Sequence, residues 1–542
     1  MTAHGAASVT VAEQRSLVAR GRHYAVATPH VLATDAAEAA FRAGGTAVDA
    51  AIAAATLLAV VYPHNCALGG DLFALVAAPV QDVVSIQGCG AAASAASAGD
   101  FRQRAFMPTT GPDTITVPGV LAGWETLLDH GARLGWAPPL ERAADFAEDG
   151  VPVSSSLAAA LDRRAHQLSE DRGITSVFFR KEEPLRIGEL LRQPTLAATL
   201  RTLAREGAAA FYDGPVGASF IAGLRSYGSR LNESDLSTHE TEIAAPVSAR
   251  VGDHEILTAA PPSQGFVLLE ILSAVALIGR QIDPWGQDAG VVAAISALAG
   301  GDRDQYLADP RRREVPIAEL LSEAHAEALL AAARRRIKQP RLPRTTKGAN
   351  RASGDTVAVV TADSDGYAVS LIQSIFHAFG SGVLEPATGI LCHNRGSEFS
   401  LDPASPNLLE GGKRPAHTLM PVMSRRSGAI DRVLGTRGGS AQPQIHVQLF
   451  LALNRGRSVA EAVSAPRWVL GSTEPKAAEQ HVQAERGLSG SARRSFADAG
   501  WTIAELSFPN ERVGHAQALV RGNGSGWAAA TDPRADGAAA AA

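Results

Sequence analysis

A chain of 542 residues with 46% hydrophobic and 19% charged residues can bury a large core, and its 50 basic and 55 acidic side chains leave a formal charge of −5. That balance argues against a broad nucleic-acid or membrane-surface footprint and points to chemistry on something small. Three cysteines, Cys66, Cys89 and Cys392, lie far apart without CxxC spacing, which argues against both a disulfide framework and a zinc site and leaves reduced, buried thiols as the expectation.

Met1 to Arg22 is polar, with no apolar core of signal-peptide length, so a cytoplasmic protein is expected. From Ala36 the spacing of Ala39, Ala40 and Ala43 before Gly44-Gly45 reads as a glycine-closed helix, and a second, apolar helix is predicted from Ala47 to Val61. The longest apolar run, Ala47 to Tyr62, contains Asp49 and is too short to span a bilayer. Leu72 to Ala77 and Val83 to Ile86 read as neighbouring strands, which implies a sheet packed under helices.

Residues 120–340 carry mostly helical periodicity, as in Thr195 to Ala204 after Pro194 and in Ile317 to Ala333. The turn Pro261-Pro-Ser-Gln-Gly265 interrupts them and opens another apolar helix. From Arg334 to Arg351, basic residues interleave with Pro340, Pro343 and Gly348, a texture that reads as a mobile linker. A nucleic-acid patch is the alternative there, and it lacks aromatic interleaving. Beyond the linker, Val357 to Thr361, the turn Asp365-Gly366, and Ala368 to Ile372 form a strong hairpin signal. Asp536 to Ala542 is alanine-rich and is expected to fray.

No metal or organic cofactor is indicated. The 15 histidines show no ligand spacing, and His64, His377, His393 and His446 read as packing or hydrogen-bonding residues. The glycine-rich blocks lack the arrangement of a dinucleotide site. Thr356 at the head of its strand has two readings. It is a β-prone residue starting a strand, or it is a nucleophile exposed by cutting the bond before it, with its freed α-amine as base. Such an amine has a reference pKa of about 7.7 to 8, close enough to neutrality to take the hydroxyl proton.

The chain resembles the γ-glutamyltransferase family of N-terminal-nucleophile hydrolases through eleven blocks in order. They are Gly44-Gly-Thr-Ala-Val-Asp-Ala-Ala51, Leu68-Gly-Gly-Asp-Leu-Phe73, Val117-Pro-Gly119, Pro261-Pro-Ser-Gln-Gly265, Tyr306-Leu-Ala-Asp-Pro310, Gly354-Asp-Thr356, Phe379-Gly-Ser-Gly382, Thr388-Gly-Ile-Leu391, Gly438-Gly439, Gln442-Pro-Gln444 and Asp532-Pro-Arg534. The resemblance implies an α+β fold, a four-layer αββα sandwich, made as one precursor that cuts itself between Asp355 and Thr356. Residues 1–355 would form a large chain ending in the basic segment 334–355, and residues 356–542 a small one, the two intertwined in one domain. A homodimer of such αβ units is a further possibility. Thr356 would form the acyl-enzyme, and Ser374 would hold and polarise it. Gly438 and Gly439, in isolation an ordinary tight turn, would supply oxyanion donors, each typically worth about 3 to 4 kcal/mol.

The matches break at substrate recognition. Where the family has the arginine that holds a γ-glutamyl carboxylate, this chain has alanine at Ala91. The family's asparagine two positions past the serine is Phe376, its glutamine and aspartate pair is Arg395 and Glu398, and its paired serines are His417 and Thr418. Arg395, His417 and Arg437 could bind an acid group; Arg395 and Glu398 could equally pair with each other. His417-Thr418-Leu419 resembles the branches that do not act on γ-glutamyl compounds, which include amidases of small acids such as oxamate, and acylases. The expectation is a self-processing amide hydrolase or acyltransferase acting on a small amide that carries an acid group. An authentic γ-glutamyltransferase or glutathione hydrolase, and an unprocessed, non-catalytic binding homologue, are the alternatives.

Overall fold

Along the strand Asp355–Asp363, Val357 and Val359 enter one apolar cluster while Ala358, Val360 and Ala362 enter others on the opposite face. A strand whose two faces are both apolar must be covered on both sides. The computed structural model, which describes residues 16–338, 354–471, 481–522 and 526–542, supplies both covers.

The strand is the third of seven in an antiparallel sheet, in the order Ala538–Ala541, Tyr24–Thr28, Asp355–Asp363, Ala368–Phe376, Asp71–Ala77, Val84–Gly88 and Glu242–Ala244. A second antiparallel sheet of seven runs Val18–Gly21, Trp527–Thr531, His515–Arg521, Ala429–Arg437, Val422–Arg426, His254–Thr258 and Val247–Val251. Their inner faces meet through Ala25, Leu75, Val360, Leu257, Val433 and Leu519. Helices Val31–Arg42, Ala47–Val61 and Val120–Leu128 cover the outer face of the first sheet. Gly265–Ala276, Ala289–Tyr306, Glu323–Lys338 and Gln442–Asn454 cover the second, completing four layers, αββα. Each large aliphatic side chain sealed between such layers contributes about 1.5 to 3 kcal/mol. Both sheets contain strands from before and from after Thr356, hydrogen-bonded side by side.

The one charge in the buried helix Ala47–Val61 has a local reason. Thr46 caps the helix through its side chain, and Asp49 returns the bond by accepting from the Thr46 N–H at 2.8 Å. Asp49 also accepts from the backbone N–H groups of Arg133 and Leu134, so the acidic residue ties a loop to the helix start.

Four expectations change. Ile317 to Ala333 is two helices, Ile317–Leu320 and Glu323–Lys338, because the Ser322 hydroxyl accepts from the His325 N–H and starts a new helix. Arg334 to Lys338 therefore belongs to that helix and not to a linker; residues 339–353, the rest of the predicted linker, lie outside the described residues. The first helix begins at Val31, ahead of Ala36. The alanine tail is an edge strand, Ala538–Ala541, paired antiparallel with Tyr24–Thr28, with Ala539 and Ala540 packed into the core. Small side chains suit a strand pressed against its neighbours, so composition misleads there. No helix among the described residues is long and apolar enough to cross a membrane.

Candidate active site

Thr356 lies at an irregularity in the pairing of Asp355–Asp363 with Ala368–Phe376, where the register shifts between Asp355 and Val357. The shift turns its side chain toward the neighbouring strand, and Thr356 is 1% exposed. Its Oγ1 donates to Ser374 Oγ at 3.1 Å, and Ser374 Oγ donates onward to the Asp355 carbonyl oxygen at 2.5 Å. The Phe376 N–H fixes the serine by donating to the same Oγ at 2.8 Å. Phe376 holds this arrangement with φ 74°, an unfavourable conformation for a bulky side chain. Two hydroxyls in series thus end on the carbonyl of the bond between Asp355 and Thr356.

Gly438 and Gly439 form the corner between the strand Ala429–Arg437 and the helix Gln442–Asn454. Gly439 has φ 53°, which favours glycine. A Cβ on Gly354 would fall 2.6 Å from the Gly439 Cα, so backbone lies directly on backbone there. The Gly439 carbonyl is held by the Gln264 side-chain amide, which donates to it at 2.8 Å and to the Thr418 carbonyl at 3.0 Å. Ser263 Oγ donates to the Leu419 carbonyl at 2.6 Å. The turn Pro261-Pro-Ser-Gln-Gly265 therefore ties the glycine corner to the segment carrying His417 and Thr418, a role its sequence does not disclose.

Arg437, next to Gly438, is buried against three partners. It pairs with the Asp355 carboxylate through Nη2, and its Nη1 lies 3.3 Å from Glu511 and 3.4 Å from His515. Burial disfavours the Arg437 charge, but the Asp355 and Glu511 carboxylates outweigh it and hold the guanidinium above its ordinary pKa. His515 is pushed down to about 3 by burial and by Arg437.

Arg395 has a different environment. It is 1% exposed, its Nη1 donates to Thr418 Oγ1 at 3.2 Å, and its guanidinium lies 3.9 Å over the Phe376 ring. Its Nε and Nη2 have no hydrogen-bond partner among the described residues. Burial pulls its pKa down, with Glu398 and Asp71 only partly compensating. Glu398 is exposed and acts on Arg395 as a nearby charge, while the hydrogen bond goes to Thr418.

His417 is engaged through both ring nitrogens: Nε2 bonds Asp71 at 3.0 Å, and Nδ1 accepts from the Leu419 N–H at 3.3 Å. Burial, reinforced by Arg395, holds it down to about 3, so it is neutral. His393 Nδ1 lies 3.2 Å from the same Asp71 oxygen. Burial pushes the Asp71 carboxyl up, yet His393 and His417 outweigh it and keep it well below the usual carboxylate range. Asp71 and His393 are site residues that spacing could not reveal; the only signal was the position of Asp71 in the block Leu68 to Phe73.

One small pocket opens beside Thr116 and Gly396 and another beside Ser440 and Gln444; neither is lined by Thr356 or Ser374. Cys66, Cys89 and Cys392 are buried free thiols, and burial pushes Cys66 and Cys89 up to about 12. Among the described residues one group, Glu270, Asp302 and His325, offers ligand atoms within 4.8 Å of one another. It is assembled from three helices that carry none of the residues around Thr356.

A family profile described as gamma-glutamyltranspeptidase matches residues 33–542. The oxamate amidohydrolase proenzyme of Klebsiella pneumoniae is 35% identical over 525 residues, covering 96% of this chain and 98% of that one. The glutathione hydrolase-like YwrD proenzyme of Bacillus subtilis is 33% identical over 524 residues, with the same coverage of 96% and 98%. Among solved structures, a cephalosporin acylase from Bacillus halodurans superposes with a TM-score of 0.87 at 29% identity, covering 100% of this chain and 99% of that one.

Proposed function

The chain belongs to the γ-glutamyltranspeptidase family, and from that premise we propose that it is a proenzyme that cuts itself at Asp355–Thr356 and then hydrolyses a small amide carrying an acid group. The observation that carries this reading is the hydrogen-bond series from Thr356 Oγ1 through Ser374 Oγ to the Asp355 carbonyl. The two hydroxyls and the Asp355 carbonyl share one hydrogen-bond series, which supports their roles as nucleophile, polarising group and target.

In self-cleavage the Thr356 Oγ attacks the Asp355 carbonyl carbon and an ester forms as the C–N bond breaks. The proton lost by the hydroxyl passes to the departing nitrogen. Water then hydrolyses the ester, leaving a carboxylate on Asp355 and restoring the Thr356 hydroxyl beside a free α-amine. That amine is the base for later turnovers. Substrate acylates Thr356 and the amide nitrogen leaves protonated; water then releases the acid, whereas an acceptor amine would carry the acyl group away as a new amide. Backbone N–H groups at Gly438 and Gly439 stabilise the oxyanion.

For the acid group, Arg395 is the favoured contact. A buried guanidinium with unpartnered Nε–H and Nη2–H costs free energy that a carboxylate would relieve through charge-assisted hydrogen bonds. Thr418 orients it and Phe376 supports its face. His417, neutral and doubly bonded, positions Thr418 and its loop. The similarity to an oxamate amidohydrolase supports a short acid amide.

The test has two stages. Intact mass and N-terminal sequencing of the purified protein should reveal a new chain starting at Thr356. The processed protein should then release ammonia from oxamate or a related short acid amide, and Thr356→Ala should abolish both events. Efficient release of nitroaniline from γ-glutamyl-nitroanilide with no activity on acid amides would favour a γ-glutamyl enzyme instead.

A further inference from the structure

The Asp355 side chain is attached to the carbonyl under attack and is gripped by a guanidinium one residue from the glycine corner. We infer that Arg437 is a positioning residue for self-cleavage, with Asp355 as a single-use handle that holds the scissile carbonyl against Ser374 and the glycine corner until the bond is cut. The inference rests on the self-processing reading and adds to it a residue that aims the target.

Two anchors fix the segment before Thr356. Gly354 lies on Gly439, too close for any side chain. Asp355 is locked by Arg437, which is itself braced by Glu511, and Glu511 in turn is held 2.8 Å from Arg163. With both ends held, rotation about the Asp355 backbone is restricted and the carbonyl oxygen stays on Ser374 Oγ. Placing a reacting group in this way lowers the entropic part of a barrier. A neutral asparagine would keep the volume but lose the ion pair.

The same contacts undo themselves after the cut. Hydrolysis adds a second carboxylate to Asp355, so this residue and Glu511 together present three negative groups to one guanidinium. The new α-ammonium of Thr356 adds positive charge nearby. Asp355 is no longer covalently held, so Gly354 can leave the glycine corner, exposing the backbone that a substrate oxyanion must reach.

The test follows cleavage of freshly synthesised full-length chains with time, for the wild type, Asp355→Asn, Arg437→Ala and the double variant. Each single change should slow cleavage at least tenfold, and the double variant should be no slower than the slower single, because one interaction is lost in all three. Added guanidinium ion should accelerate Arg437→Ala and leave Asp355→Asn unchanged, a response that a merely structural arginine would not give. Wild-type cleavage rates in both single variants, or additive slowing indifferent to guanidinium, would overturn the inference while leaving self-processing intact. An uncleaved wild type would overturn both.

Discussion

Two buried arginines border the Thr356 strand, and they differ in what they hold. Arg437 is surrounded by Asp355 and Glu511 and its charge is favoured; Arg395 has a hydroxyl, an aromatic face and two unpartnered donor groups, and its charge is disfavoured. The first is satisfied by the chain itself, the second is not. Since a buried charge without a partner is expensive, the contrast supports the proposal that Arg437 serves the precursor's own chemistry and Arg395 a ligand that brings the missing carboxylate.

The largest expected effect removes what both ends serve. Thr356→Ala should leave the chain uncut and reduce amide hydrolysis by roughly a thousandfold or more, as loss of a covalent nucleophile does. Next comes a change that separates the two arginines. Arg395→Met keeps the packing on Phe376 but loses the charge, so the KM for an acid-bearing amide should rise at least tenfold while cleavage keeps its wild-type rate. The melting temperature of this variant should also rise by a few degrees, because the unpaired charge is gone. Unchanged KM would erase the distinction between the two ends.

Gly354→Ala should slow cleavage several-fold on a gel time course, since its Cβ would fall 2.6 Å from the Gly439 Cα and the segment must shift. The smallest effect lies away from the site, at a buried carboxyl beside Asp302 and His325. Burial, with the Asp302 charge, pushes Glu270 up to about 9 from an ordinary 4.5. A raised carboxyl pKa means that the folded state binds more protons than the unfolded one between those values. Its stability is therefore greatest below about 4.5 and declines as pH rises toward 9. Glu270→Gln should flatten that decline, raising the melting temperature at pH 8 by a few degrees and leaving it unchanged at pH 4.5.

Much of this was legible in the residues. The apolar helix after Gly44-Gly45, the hairpin at Asp365-Gly366 and the turn at Pro261–Gly265 follow from local chemistry, and ordered blocks marked Thr356, Ser374 and the glycine corner. The pairings were not legible. Asp71 meets His417 across 346 positions and Asp355 meets Arg437 across 82, contacts that only the two packed sheets create. The same limit explains His417, whose ring suggested a substrate contact and is instead bonded on both sides within the protein. At 320–322 apolar periodicity runs through a helix break that depends on one serine hydroxyl, and at the end of the chain alanine composition conceals a paired strand.

The most direct measurement is the intact mass of the purified wild-type protein after processing has run to its end. Cleavage between Asp355 and Thr356 requires two species, residues 1–355 and residues 356–542, the second beginning with threonine. A single uncut 56.2 kDa chain that still hydrolyses amides would contradict the central claim.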